Sequence, residues 1–300
     1  MRHSSRRKKG VKGARTTRRK SRITPLLRGG GDDPKAVVFV LGNNAGFFST
    51  YFTLCKAYLY AKEKGAEFYI DHDAWQYTYE KGWHDYFTTL QLFPKDKAFS
   101  VVERFKHIEV DRLPTYSVGQ YQQAIRETFV LRPDLEAKVE KVKAAIGGLY
   151  TSLYVRRGDK VFGPGKEMDM LDIPTIISKT DIKDDSRKLF IQTDDHRVVE
   201  EVAKLVPSCK LFTTTPSGQH GSSADVLRST SPSQAKAHAE ELFISTRVLL
   251  GGMPIWTDIR SNVGRFHMLS EFGKVKVYPD ENAIKDLTLS SIVKPHHSLP

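Results

Sequence analysis

From residue 33 onward, short apolar runs alternate with helical patterns, and this alternation limits the fold more than any other feature of the chain. Such alternation favours parallel sheets, because parallel strands need crossover connections between them. Strands are predicted at residues 36–41, 67–70, 149–155, 188–192, 210–212 and 275–278. Helices are predicted at residues 48–64, 135–146, 173–178, 196–205, 232–245 and 261–272. The chain is therefore predicted to be an α/β protein.

The pattern falls into two blocks that meet near Gly147. A chain of 300 residues can form two domains of about 150 residues each. We predict one Rossmann-like domain over residues 33–147 and a second over residues 148–300, facing each other across a cleft. The region 72–130 is rich in aromatic residues and gives no clear element assignment.

The excess positive charge lies at the start of the chain. Of the 47 Lys and Arg residues, twelve fall in residues 1–31, which contain no Asp or Glu. The other 35 basic residues are matched by 35 acidic ones, so the net charge of +12 belongs to this segment. Residues 1–32 are predicted to be a disordered basic tail, because they cannot bury enough apolar surface to fold. The tail is a candidate for polyanion contact or nuclear import.

Two features of the sequence bear on the compartment. No stretch has the length and apolar character of a signal peptide or a membrane span. The two cysteines, Cys55 and Cys209, form no Cys-x-x-Cys pattern, which argues against a disulfide framework and a zinc site. The expectation is a cytoplasmic protein, or a nuclear one if the tail directs import.

The charged segment Arg156-Arg157-Gly158-Asp159-Lys160 follows the third predicted strand. Charges at the carboxyl end of a strand lie at the rim of the sheet, where open α/β folds bind ligands. Two adjacent arginines suit a diphosphate, because each guanidinium can donate paired hydrogen bonds to phosphate oxygens. A solvated turn with a local ion pair explains the same residues without any ligand. Spacing alone leaves both interpretations open.

Two other strand ends carry candidate donor-binding residues. The turn after the first strand contains Asn43, Asn44 and Gly46, and it opens a helix whose amino terminus attracts anions. An ordinary turn between strand and helix is the alternative. Asp194 and Asp195 follow the fourth predicted strand, where one of them can cap the next helix while the other accepts from a sugar hydroxyl.

Asp71-His72-Asp73 follows the second predicted strand and has the Asp-x-Asp spacing with which some glycosyltransferases hold a metal. Two carboxylates together with phosphate oxygens suit Mg²⁺ or Mn²⁺. This spacing is common by chance, and arginines are available to neutralise phosphate instead. We therefore predict no metal and keep a metal-dependent enzyme using Asp71 and Asp73 as an alternative.

Two segments near the end of the body complete the candidate set. Glu240 and Glu241 are adjacent on a predicted helix, where paired carboxylates are normally solvated. Asp258 or Ser261 is a plausible cap for the following helix. Small polar groups at such an amino terminus, including Asn262, again suit phosphate.

Together these segments resemble the α-1,6-fucosyltransferase group, which includes the bacterial nodulation fucosyltransferases. Leu153-Tyr-Val-Arg-Arg-Gly-Asp-Lys160 resembles the signature His-Val-Arg-Arg-Thr-Asp-Lys of that group. Leu189-Phe-Ile-Gln-Thr-Asp-Asp195 is similar to its second block, a strand ending in Ala-Thr-Asp-Asp. Glu240-Glu-Leu-Phe-Ile-Ser245 and Arg260-Ser-Asn-Val-Gly-Arg265 resemble the third block. The order and rough spacing agree over residues 150–272.

The resemblance implies a GT-B architecture, an inverting transfer that needs no metal or other cofactor, and GDP-fucose as the donor held mainly by the second domain. It implies diphosphate binding by Arg156 and Arg157, with Asp159 and Lys160 beside the cleft. It also implies donor contacts from the residues that match the other blocks, which are Asp194, Asp195, Glu240, Ser261, Asn262 and Arg265. The acceptor would be a glycan or glycoprotein.

Several positions depart from the signature. Tyr154 stands where the group has His, Gly158 where it has Thr, and Asn262 where it has Gln. Tyr154 nevertheless stays a candidate donor contact. A carboxylate must accept the proton of the acceptor hydroxyl, and Glu167 is the nearest match to the glutamate of the group, although an insertion precedes it. A further alternative is an inactive fold whose basic tail binds nucleic acid.

Overall fold

The computed structural model describes residues 35–42, 45–161, 166, 168–221 and 230–279. The predicted tail at 1–32 lies outside these residues, and so do Asn43, Asn44, Glu167 and the side chain of Lys160. Their predicted roles stay predictions.

The first half of the chain forms a four-stranded parallel sheet in the order β3-β2-β1-β4. Its strands are β1 (Lys35–Val40), β2 (Glu67–Asp71), β3 (Gln91–Leu92) and β4 (Val101–Lys106). Its helices are α1 (Phe47–Lys64), α2 (Val118–Thr128) and α3 (Pro133–Ile146). The α1 helix ends at Gly65, whose φ of 60° closes the helix in the left-handed conformation that glycine accepts without strain.

The second half forms a five-stranded parallel sheet in the order β7-β6-β5-β8-β9. Its strands are β5 (Thr151–Val155), β6 (Lys188–Thr193), β7 (Lys210–Phe212), β8 (Ile255–Asp258) and β9 (Val275–Tyr278). Its helices are α4 (Ile173–Ser178), α5 (Arg197–Leu205), α6 (Pro232–Leu249) and α7 (Asn262–Ser270). The strand order reverses direction between β5 and β8, which creates a crevice at the carboxyl ends of these two strands.

An aromatic core joins the two halves. The ring of Phe47 lies 4.5 Å from the ring of Phe243 on α6, and the ring of Phe48 lies 4.4 Å from that of Phe266 on α7. The amino terminus of α1 therefore packs directly against the two helices that flank the crevice. The division into domains at 33–147 and 148–300 stays a prediction.

The predicted α/β class and the parallel sheets are confirmed, while several predicted element boundaries differ from those of the structure. The third predicted strand begins at Thr151, because Gly147 and Gly148 adopt φ of 66° and 75° and Leu149 is 89% exposed. Helix α6 continues to Leu249, beyond its predicted end. Strand β8 was not predicted, since it lies in the same apolar stretch as the end of α6.

Candidate active site

Arg156 follows the last residue of β5 and lies at the crevice. Its Nη2 donates to Asp159 Oδ1 at 2.6 Å, and its Nη1 donates to Asp194 Oδ2. Asp194 follows β6, the neighbouring strand, so the parallel register brings the two side chains together. The Arg156 side chain is 15% exposed and that of Asp194 is 11% exposed. The structure thus confines one guanidinium between two carboxylates at the rim of the sheet.

Arg157 has a different environment from Arg156. It is nearly fully buried, and its guanidinium donates to the backbone carbonyls of Leu171 at 2.8 Å and Arg156 at 3.3 Å. Its backbone N–H donates to Asp194 Oδ1 at 2.7 Å. Arg157 therefore holds the turn after β5 together from within.

The two adjacent aspartates after β6 divide their tasks. Asp195 accepts from the backbone N–H of Arg197 at 3.1 Å and forms a two-pronged ion pair with the guanidinium of the same residue. Asp195 thus stabilises the start of α5, while Asp194 faces Arg156. The sequence predicted such a division and left open which aspartate took which role.

Two positions that depart from the fucosyltransferase signature have well-defined surroundings in the structure. The Tyr154 side chain is buried, and its hydroxyl accepts from Ser261 Oγ at 3.1 Å. Gly158 has φ of 66°, a conformation that favours glycine, and it lies against Gly221, where an added Cβ would come within 2.7 Å of the Gly158 Cα. The segment after β7 therefore packs closely onto the turn that carries Arg156.

Ser261 caps α7, as the sequence suggested. Its Oγ accepts from the backbone N–H of Gly264 at 3.0 Å, and the residue is buried. Arg265 on the first turns of α7 donates to the carbonyl of Ile259 at 3.0 Å and to Asn262 Oδ1 at 3.5 Å. The amino terminus of α7 thus lies beside β5, on the β8 side of the crevice.

The two glutamates of α6 face different surroundings. Glu240 forms an ion pair with Lys138 of α3 at 2.6 Å, whereas Glu241 Oε1 accepts from Thr214 Oγ1 at 2.8 Å. Burial and, to a smaller extent, the charge of Asp194 raise the pKa of Glu241 to about 7, against the lowering effect of its hydrogen bond from Thr214. Both glutamates line a cavity of about 360 Å³ between α3 and α6. Glu241 therefore lies within electrostatic range of Asp194, the partner of Arg156.

Two side chains close to Arg156 carry no motif in the sequence. Burial lowers the pKa of His238 on α6, and the positive charge of Arg156 lowers it as well. Burial raises the pKa of Tyr77 to about 12, and Arg156 acts in the opposite direction. Tyr77 belongs to the first half of the chain, so both halves contribute groups around Arg156. Only tertiary contacts reveal these two residues.

Gly46 lies immediately before α1, which begins without a side-chain cap. The preceding carbonyl, that of Ala45, accepts from Gln76 Nε2 at 3.1 Å. The predicted turn between strand and helix is therefore present, and its anion-binding role stays a prediction.

Asp71 and Asp73 lie at the rim of the first sheet, and each pairs with a different cation. Asp71 bonds to Arg104 at 2.8 Å and Asp73 to Lys95 at 2.9 Å. Among the described residues, no group of three His, Cys, Asp or Glu side chains could hold a metal ion.

In the same residues, no helix combines the length and apolar character needed to cross a membrane.

Two parallel sheets, joined by an aromatic core and with a charged crevice on the second, agree with the predicted GT-B fold. Neither a family model nor a curated protein matches the sequence. Among solved structures, NodZ α-1,6-fucosyltransferase soaked with GDP-fucose is similar, with a TM-score of 0.54 and 14% identity over 79% of this chain and 92% of that chain.

Two further solved structures share this fold. Fucosyltransferase NodZ from Bradyrhizobium has a TM-score of 0.52 and 13% identity over 79% of this chain and 92% of its own. A variant of Arabidopsis thaliana FUT1 in complex with GDP has a TM-score of 0.56 and 12% identity over 85% of this chain and 72% of its own. The predicted GT-B fold and the predicted likeness to fucosyltransferases are therefore confirmed at the level of the fold.

Proposed function

We propose that this protein is a glycosyltransferase that uses a nucleotide-sugar donor, with GDP-fucose as the preferred candidate. The observation that carries the proposal is the position of Arg156, a guanidinium held at the carboxyl end of β5 beside the reversal of strand order. Open α/β sheets bind ligands at this position. The similar NodZ structure was soaked with GDP-fucose, and this supports the choice of donor.

The chemistry of sugar transfer suits a fixed guanidinium. Cleavage of a sugar–diphosphate bond builds negative charge on the departing oxygens as the bond breaks. A cation already oriented towards those oxygens stabilises the transition state more than the ground state. We assign this role to Arg156, and we propose an inverting transfer without a metal, in which guanidinium charge takes the part that a divalent ion plays elsewhere.

The surrounding residues are assigned supporting roles. We propose that Arg157 holds the turn, that Asp194 orients Arg156, and that the Ser261 end of α7 faces the diphosphate, with Asn262 and Arg265 keeping that end in shape. Tyr154 joins β5 to Ser261 through its hydroxyl.

The proton of the acceptor hydroxyl needs a carboxylate, and Glu167 is kept as the proposed base, with Lys160 beside the diphosphate. The acceptor is proposed to be a glycan or glycoprotein that offers a hydroxyl. Contact between the basic tail and a polyanion is a separate proposal, which deletion of residues 1–30 tests.

Calorimetric titration with GDP tests the proposal. The wild-type protein is expected to bind GDP equally well with and without EDTA. The substitution Arg156→Ala is expected to weaken binding by about 100-fold, since charged hydrogen bonds to phosphate contribute roughly 1.5–3 kcal/mol.

Arg104→Ala is the matched control, because Arg104 also pairs with an aspartate at a sheet rim but lies on the first sheet. Its GDP affinity should equal that of the wild type. Absence of GDP binding by the wild type, or undiminished binding by Arg156→Ala, would contradict the proposal.

A further inference from the structure

Arg156 donates to carboxylates through both of its terminal nitrogens, and the two carboxylates come from different elements. Asp194 follows β6, whereas Asp159 lies on the short turn directly after β5. A phosphate oxygen and a carboxylate oxygen compete for the same N–H donors of a guanidinium. A diphosphate that reaches Arg156 must therefore share the N–H donors of the guanidinium with the two aspartates, or displace one of the aspartates from them.

The two aspartates differ in how firmly they are held. Asp194 is 11% exposed and also accepts from the backbone N–H of Arg157 at 2.7 Å, so its removal would leave a buried donor unpaired. The Asp159 side chain is 29% exposed. Its turn starts at Gly158, which has φ of 66°, a conformation that glycine adopts without strain. Asp159 is consequently the carboxylate that can leave at the smaller cost.

The charge balance favours the departure of one of the two carboxylates. Two carboxylates on one guanidinium make this group of three net negative, which opposes the approach of a diphosphate. Departure of Asp159 restores a neutral pair of Arg156 and Asp194, so the phosphate oxygens meet N–H donors without the second carboxylate beside them.

We propose that Asp159 occupies the place of a phosphate oxygen on Arg156 before the donor binds, and that the diphosphate displaces it. This inference rests on the proposed function, because it takes the ligand to be a diphosphate. Until then Asp159 accepts from Nη2 of Arg156, so that this N–H donor stays paired and the guanidinium stays oriented. Asp159 is thus a positioning residue that also sets the affinity for the donor.

GDP titration of Asp159→Asn tests this role. Asparagine keeps the size of the side chain and removes the competing charge, so GDP is expected to bind about tenfold more tightly than to the wild type, the equivalent of roughly 1.4 kcal/mol. The gain should vanish in the double variant that also carries Arg156→Ala, because there is then no guanidinium for which the carboxylate and the phosphate compete. A structural defect would weaken binding in both backgrounds instead.

Asp169→Asn is the matched control. Asp169 forms the same kind of pair three residues from its cation, Lys166, at 2.7 Å, and it is far more exposed than Asp159. Its GDP affinity should not change. Urea unfolding of each variant shows whether it is folded, and Asp159→Ala provides a second way of removing the carboxylate.

The outcomes separate this inference from the proposed function. If the wild type binds GDP and folded Asp159→Asn binds it equally or more weakly, the displacement is overturned while the glycosyltransferase proposal stands. If neither protein binds GDP, both are overturned. Tighter binding that depends on Arg156 supports both.

Discussion

The carboxyl rims of the two sheets carry the same chemical groups, yet the two rims differ in burial. On the first sheet, Asp73 pairs with Lys95 at the surface, and its side chain is 64% exposed. On the second sheet, Arg156 and Asp194 are mostly buried and interlock with the backbone of the turn. Motif spacing alone does not distinguish these two rims.

The difference shows why the second rim is the better candidate site. An exposed ion pair is screened by water and contributes about 0–1 kcal/mol, so its geometry is free to vary. Buried charges must keep their partners, because an unpaired charge in the interior costs several kcal/mol. The buried rim therefore holds Arg156 and Asp194 in one arrangement, as stabilisation of a developing charge requires.

The largest effect on the free energy of unfolding is expected when a buried guanidinium is removed, and removal of an exposed one is the comparison. Arg157→Ala should lower the free energy of unfolding by about 3 kcal/mol, because two backbone carbonyls lose their donor and a buried side chain is removed. Arg104→Ala should lower it by less than about 1 kcal/mol, since it breaks a surface pair. Urea unfolding measures both values. Equal losses would show that the two rims do not differ as the structure indicates.

The next largest effect on stability is expected at Glu241, a carboxyl group whose pKa is raised. The folded pKa of Glu241 is about 7 against 4.5 in the unfolded chain, so between these values the folded state alone retains the proton. Glu241 therefore lowers stability as the pH rises from 4.5 to 7. Glu241→Gln removes this penalty, and the stability gained over the wild type should grow by about 2–3 kcal/mol from pH 5 to pH 8.

Glu67 on the first sheet is the comparison for Glu241, with the opposite sign. Its hydrogen bond from Lys97 lowers the pKa of Glu67, so it contributes stability above the unfolded pKa that is lost as the pH falls through the folded value. Glu67→Gln should therefore be slightly less stable than the wild type at both pH 5 and pH 8. Chemical unfolding at the two pH values measures both variants. A pH-independent difference for Glu241→Gln would contradict the assignment of its buried proton.

The smallest effect is expected at the exposed rim. Asp73→Asn should leave both the free energy of unfolding and the GDP affinity unchanged within the error of measurement, because its pair with Lys95 is solvated. Titration with GDP in the presence and absence of EDTA provides the measurement. Loss of GDP binding by this variant, together with sensitivity to EDTA, would instead favour the metal-dependent alternative.

Much of the fold was predictable, because strands and helices leave different periods in the sequence. The strand at Lys210–Phe212 and the helix at Ile173–Ser178 have the predicted bounds. The stretch 247–256 could not be divided correctly, because a buried helix end and a buried strand both appear as apolar runs. The tertiary structure distinguishes the two elements, because β8 pairs with β5 whereas α6 packs against α3.

The candidate site was predictable as a set of strand ends and unpredictable in its internal pairing. Asp194 and Asp195 are equivalent in the sequence, and the structure assigns the first to Arg156 and the second to Arg197. Glu240 and Glu241 are also equivalent in the sequence. In the helix, a rotation of about 100° between adjacent residues turns them towards different surroundings. His238 has no motif at all.

By itself, the sequence determined the alternation of strands and helices, the parallel sheets and the location of charged residues at strand ends. These are local properties, because period and turn chemistry act over a few residues. Only the tertiary structure decided that Arg156 meets two carboxylates while Arg157 turns inward, and that Glu241 is buried. Those outcomes depend on which elements pack together, and on the cost of leaving a buried charge or donor without a partner.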